Sequence, residues 1–105
     1  MPKLILTRFG GDRESIELIA AETTLGRGLH NDIVLDSIAA SRRHAVITAD
    51  AAFVTIRDTN SRNGTFVNGQ RVSTQTLVDG DVVDLGGCAL CFVSGGQQFS
   101  EVIAQ

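Results

Sequence analysis

Proline is nearly missing from this chain: of 105 residues only Pro2 is one, so no strand is interrupted by the loss of a ladder donor. Long apolar runs are missing as well. Lys3-Leu4-Ile5-Leu6-Thr7-Arg8 is too brief for a secretory apolar region and is ended by Arg8. No stretch approaches the length of a membrane span, and the cytoplasm is the expected compartment. There is no basic surplus: the net charge of −3 argues against a general nucleic-acid binder. Cysteine is confined to Cys88 and Cys91. The run Cys88-Ala89-Leu90-Cys91-Phe92-Val93 has the character of a strand, on which positions three apart point to opposite faces. The two sulfurs then cannot meet, and one pair supplies only half of a four-ligand zinc site. Two buried small hydrophobes are expected, with no metal. A helical pattern is missing before residue 96. Beyond it, Phe99, Val102 and Ile103 show i, i+3, i+4 spacing, which fits either a short helix or a frayed tail.

What is present is alternation. The length suits one domain, in which roughly two thirds of the unfolded surface can be buried without metal or disulfide. Leu4 and Leu6 share one face of the first run, with Ile5, Thr7 and Phe9 on the other. Gly10-Gly11-Asp12 turns the chain. Ile16, Leu18 and Ala20 alternate with Ser15, Glu17 and Ile19, which predicts a hairpin with the first run. Further strands are expected at Thr23-Thr24-Leu25, Asp32 to Leu35, Ala45 to Thr48 and Phe53 to Ile56, the last two joined through Asp50. Others follow at Gln70-Arg71-Val72, Thr76-Leu77-Val78, Asp81 to Leu85 and Cys88 to Val93. About eleven short strands with frequent turn signals predict an all-β antiparallel sandwich. Residues 1–96 form the domain and 97–105 a tail or the start of a linker.

The rest of the chain is arranged around residues 58–69, Asp58-Thr59-Asn60-Ser61-Arg62-Asn63-Gly64-Thr65-Phe66-Val67-Asn68-Gly69. Asn-Gly readily supplies the positive φ angles of a tight reversal, and here it occurs twice. A rigid recognition loop is expected. Two other loops carry unusual residues, Gly26-Arg27 and Ser41-Arg42-Arg43-His44. Together the three hold the ingredients of an oxyanion site. Arginine offers a planar fork of donors that suits phosphate, serine a hydroxyl, glycine close backbone approach, and asparagine a donor and an acceptor for an extended peptide. Strand alternation after Ser41 lets at most one of Arg42 and Arg43 face such a site; Arg42 is favoured, and Arg43 is expected to be exposed. His30 is expected to be an exposed loop residue.

Gly26-Arg27, Asn31-Asp32-Ile33-Val34-Leu35, Ser41-x-x-His44 and Asn63-Gly64-Thr65-Phe66-Val67-Asn68-Gly69 stand in an order and at loop spacings that resemble the forkhead-associated (FHA) domain. The resemblance runs from the first strand to about Ser94. It implies an eleven-stranded sandwich that binds phosphothreonine peptides through loops at one end, in Ser/Thr kinase signalling or phospho-regulated assembly, without a cofactor. It assigns Arg27 to the phosphate or the adjacent peptide backbone and the Ser41 hydroxyl to a phosphate oxygen. Arg42 stands where the family often places a phosphate contact, Arg62 where it varies, and Asn63 where it holds the peptide main chain. His44 is implied to be a buried strut, and Gly26, Gly64, Thr65 and Asn68 loop-shaping residues. The implied partner is a threonine-phosphorylated protein, with neither nucleic acid nor membrane, and the domain can belong to a longer multidomain chain.

Two rivals stand beside this reading. Ser41, His44 and Asp58 supply the residue types of a hydrolase triad, but Ser41 lacks a G-x-S-x-G elbow, and no catalysis is expected. A phosphate-independent oligomerisation or scaffold domain of the same fold is the alternative; loss of the loop arginine, serine or asparagine would signal it, and all three are present.

Overall fold

A computed structural model describes residues 2–7 and 11–95. Its eleven strands are β1 (Lys3–Thr7), β2 (Arg13–Glu17), β3 (Glu22–Gly26), β4 (Ile33–Val34), β5 (Ala45–Ala49), β6 (Val54–Asp58), β7 (Thr65–Val67), β8 (Gln70–Val72), β9 (Thr74–Thr76), β10 (Val82–Leu85) and β11 (Cys88–Val93). They form a sheet of order β2-β1-β11-β10-β7-β8 and a second of order β4-β3-β5-β6-β9. The expected hairpin of β1 with β2 is formed, with Leu4 opposite Ile16. Among the described residues no helix is long and apolar enough to cross a membrane.

Period-2 alternation builds the core. Leu4 pairs with Phe92 and Leu6 with Leu90 on the inner face of one sheet, and Val83 pairs with Leu90 beside them. Ile47 pairs with Ile56 on the facing sheet. All of these side chains are buried, together with Leu25, Leu35 and Leu85. Each fully buried aliphatic or aromatic side chain contributes roughly 1.5–3 kcal/mol relative to an exposed one. The two sheets therefore hold each other, and the loops between strands add only a few side chains to the core, Leu35, Ala40 and Leu77 among them.

Several expectations are corrected. The pairing is not purely antiparallel, because β4 runs parallel to β3. The strand expected at Thr76-Leu77-Val78 is Thr74–Thr76. Phe53 stands outside β6 and is exposed, because its N–H is taken by Asp50 Oδ1 at 2.8 Å in the turn. Cys88 is buried, but Cys91 is only half-buried on the opposite face of β11; the same alternation that separates the sulfurs keeps the second out of the core. Of the two Asn-Gly pairs, Asn68-Gly69 has both residues at positive φ, 51° and 84°, whereas at Asn63-Gly64 only the glycine does, at 91°; Asn60 supplies the other positive φ of that loop, 64°. Phe9 and the helix-or-tail segment lie outside the described residues.

Candidate functional site

Backbone pairing continues past the end of β3 and begins the site. Arg27 N–H donates to Ser41 O at 2.9 Å, Gly28 N–H to Arg42 O at 3.0 Å, and Leu35 N–H to Gly26 O at 2.8 Å. The loop after β3 and the loop after β4 are thereby laid side by side. Gly26 is where they come closest: a Cβ there would sit 2.3 Å from Arg42 O and 2.8 Å from Asn31 Nδ2. Asn31 is buried and donates through Nδ2 to Gly28 O and Arg42 O, each at 2.8 Å.

His44 joins this pair of loops to the third. It is fully buried. Its Nδ1 accepts from Ser41 N–H at 3.0 Å, which places the ring proton on Nε2, where it donates to Gly64 O at 2.9 Å. Both ring nitrogens are engaged by backbone, so the imidazole is not turned to the Ser41 hydroxyl or to Asp58. The three residue types of a hydrolase triad are near in sequence but not assembled as a relay.

The third loop, 59–64, is wound around Asp58. The carboxylate accepts from Ser61 N–H at 2.9 Å, from the Ser61 hydroxyl and from the Thr65 hydroxyl at 2.7 Å. Ser61 Oγ in turn accepts from Gly64 N–H at 3.0 Å. With Ser61 held inward and buried, Arg62 and Asn63 face out and are exposed. Arg62 N–H donates to Ser41 Oγ at 2.9 Å, and Asn63 Nδ2 donates to Ala39 O at 2.7 Å. Ser37 anchors the middle loop from below, its hydroxyl donating to Gly86 O at 2.6 Å.

Burial works to raise the Asp58 carboxyl pKa, but the Ser61 and Thr65 hydrogen bonds outweigh it and hold the group below its ordinary value. A carboxyl depressed on folding contributes stability in full above its unfolded value of about 3.9, and that share is lost as the pH falls through the folded value. We expect the melting temperature of Asp58→Asn to lie below that of the wild type by a constant margin above about pH 5 and the gap to shrink below about pH 4. A gap independent of pH over that range would show that the charge of Asp58 is not what holds the loop.

The outcome is a shallow groove of about 450 Å³ lined by Arg27, Ile38, Ala39, Ala40, Ser41, Arg42, Arg62 and Asn63. Three guanidiniums come from three loops, and no acid lines the groove although the chain as a whole is acidic. Arg27 is fixed at its base by Nε donating to Ala40 O at 3.1 Å, which leaves the terminal nitrogens of the fork to a ligand. The Ser41 hydroxyl accepts from Arg62 N–H and so has its own proton to give outward. The structure thus brings together Arg27, Ser41, Arg42, Arg62 and Asn63, with Gly26, His44, Gly64 and Thr65 behind them. Arg43 and His30 are exposed and do not line the groove. Asn68 lies elsewhere. It closes the β7–β8 turn at the far end of β7, with Nδ2 donating to Asp81 Oδ1 at 2.9 Å and Oδ1 accepting from Val82 N–H at 2.9 Å. Asn31 entered the sequence reading only within the Asn31-Asp32-Ile33-Val34-Leu35 run, and Ser37 and Ser61 were given no supporting role there; the spacing Asp58-x-x-Ser61, typical of a side chain that caps its own turn, is the signal that could have found Ser61.

Known proteins share this fold. The family model described as FHA domain matches residues 23–86. The ABC transporter ATP-binding/permease protein Rv1747 of Mycobacterium tuberculosis is 46% identical over 79 residues, 75% of this chain and 9% of that protein. The chain spans about half the length of several other curated relatives that it matches, 48% in one case. Among solved structures, the FHA domain of FhaA complexed with the intracellular domain of Rv3910 superposes with a TM-score of 0.80 at 33% identity, covering 88% of this chain and 99% of that one. Mycobacterium tuberculosis EmbR in complex with a low-affinity phosphopeptide gives 0.75 at 38% identity, covering 87% of this chain and 24% of that one. The matched span begins in β3 and ends just past β10, so it takes in every loop of the groove, and the chain belongs to the FHA-domain family.

Proposed function

We propose that this domain binds a threonine-phosphorylated segment of a partner protein, as a non-catalytic reader in Ser/Thr kinase signalling or phosphorylation-controlled assembly. The observation that carries the reading is the convergence of Arg27, Arg42 and Arg62 with the Ser41 hydroxyl on one acid-free groove. A phosphate monoester brings about −1.5 to −2 charges near neutral pH and three strong acceptor oxygens, which match that set of donors. The relative seen with a phosphopeptide supports the same reading. Asn63 suits the peptide backbone. One of its two N–H bonds is given to Ala39 O, which leaves a donor and the amide oxygen for a peptide main chain. The module is taken as residues 1–96 with 97–105 as a tail or the start of a linker, and the cytoplasm suits two cysteines that are not joined in a disulfide.

Isothermal titration with three peptides that differ only in phosphothreonine, phosphoserine or threonine tests the reading. The phosphothreonine peptide is expected to bind, the threonine peptide not measurably, and the phosphoserine peptide about fourfold more weakly, since one buried methyl is worth ~0.8 kcal/mol. Asn63→Ala is expected to weaken the phosphothreonine complex about tenfold through the lost main-chain bonds. Equal affinity for threonine and phosphothreonine would overturn the proposal and point to a phosphate-independent scaffold.

A further inference from the structure

β11 runs from Cys88, next to the Gly86-Gly87 turn that Ser37 holds near the phosphate groove, to Val93 at the other end of the sandwich. At that other end lies a second depression, of about 690 Å³, which shares no lining residue with the phosphate groove. Its walls come from Pro2, the Asp50–Phe53 turn, the residues after β9 and the residues after β11. Phe53 and Val78 stand 62% and 63% exposed there, with Pro2, Ala51 and Ala52 beside them and the buried Phe92 also in the lining. Its two carboxylates are each committed to backbone. Asp50 Oδ1 accepts from Ala52 N–H at 2.7 Å and from Phe53 N–H at 2.8 Å, and Asp79 Oδ1 accepts from Ser94 N–H at 2.8 Å. What the depression offers an occupant is chiefly apolar, and an exposed apolar concavity of this kind marks a contact surface.

We propose that residues 97–105 of this chain cover the depression, seating Phe99, Val102 and Ile103 against Phe53 and Val78. Two observations commit it to this occupant. The chain leaves β11 inside the depression, since Ser94 is tied to Asp79 and Gly95 lines the wall. Phe99 follows Gly95 by four residues, a reach of up to about 14 Å, so its ring can be laid back on the wall the chain has just left. The sequence of the segment also matches the surface. The i, i+3, i+4 spacing of Phe99, Val102 and Ile103 gathers them on one face of a helical turn. Glu101, the one charged side chain of the segment, falls on another face, clear of Asp50 and Asp79. Tethering adds to this. It makes the contact intramolecular, at an effective concentration of roughly millimolar, against which a free partner with the same side chains competes poorly. The phosphate groove, at the opposite end, stays open.

The test uses the full chain, isotope-labelled, at low and at high protein concentration. Nuclear Overhauser contacts between the Phe99 ring and the Val78 methyls are expected, and equally so at both concentrations. Phe53→Ser should remove them and speed amide exchange at residues 99–103 by about tenfold or more. Phe99→Ser should shift the amides of residues 50–54 and 77–79 and lower the melting temperature by roughly 5 °C. The two substitutions together should lower it little further than either alone, because both remove the same contact. Phe53 is exposed, so the fold is retained, and circular dichroism checks it. Missing Phe99–Val78 contacts, with residues 99–103 exchanging as an unfolded chain does, overturn the proposal, as do fully additive losses in the double variant. Contacts that form only at high concentration overturn it in favour of a second copy as the occupant.

Discussion

Arg27→Ala is expected to lower affinity for a phosphothreonine peptide about a hundredfold while the domain stays folded. The arginine is exposed, and the one side-chain hydrogen bond described for it within the fold runs from Nε to Ala40 O, so its loss costs the free protein about 1 kcal/mol at most. The ligand loses far more. A bidentate guanidinium–phosphate contact is charge-assisted on both sides, and each such bond contributes roughly 1.5–3 kcal/mol, which sums to two orders of magnitude or more in the dissociation constant. Arg27→Lys should fall between, about tenfold weaker, because an ammonium keeps the charge but neither the fork nor the anchoring to Ala40. The wild-type complex should weaken with added salt, and below about pH 6 as the phosphate regains its second proton. Arg43→Ala, in the Ser41 loop but outside the groove, is the control and should bind like the wild type.

The largest effect on the fold itself is expected from His44→Ala. The substitution empties a fully buried volume and leaves Ser41 N–H and Gly64 O without their partner. A cavity and two orphaned backbone groups together cost about 3–5 kcal/mol. That is a large part of the stability of a small domain, and the melting temperature should drop by more than about 10 °C. Binding should weaken with it even where the protein remains folded, because His44 is the buried link that, with the exposed bonds from Arg62 and Asn63, holds the Ser41 loop against the Asn63 loop. Thermal denaturation followed by circular dichroism reads the first effect and peptide titration at low temperature the second. A variant that melts with the wild type and binds as tightly would remove His44 from its role as strut.

Most of the core was legible because the strands that build it are half-buried and alternate. Leu4 and Leu6, Ile47, Ile56, Val83, Leu85 and Leu90 all lie where period 2 places them. The elements that were misplaced lack that signal. Thr74–Thr76 is the edge strand of its sheet and is exposed throughout, so no apolar face marks it, and the apolar pair Leu77-Val78 drew the strand too far along. The parallel β3–β4 pair is two residues deep, too short for any pattern. The polar residues that line the groove were legible by residue type, since arginine, serine and asparagine in glycine-containing loops are unusual together. Their supports were less so. Asp58 and Ser61 are ordinary loop residues until the structure shows the carboxylate gathering three donors. Asn68 belongs to the same Asn-Gly pattern as Asn63, yet β7 separates the two turns and carries Asn68 to the other end of the strand. Sequence proximity is a poor guide across even a three-residue strand.

Titration of a phosphothreonine peptide into isotope-labelled protein, followed by amide chemical shifts, tests the location of the site most directly. The largest changes are expected at residues 26–28, 39–43 and 61–64, with the Asn68-Gly69 turn and the Asp50–Phe53 turn unmoved and the matched threonine peptide without effect. Changes centred on the Asp50–Phe53 end of the sandwich, or equal changes with and without the phosphate, would contradict the account.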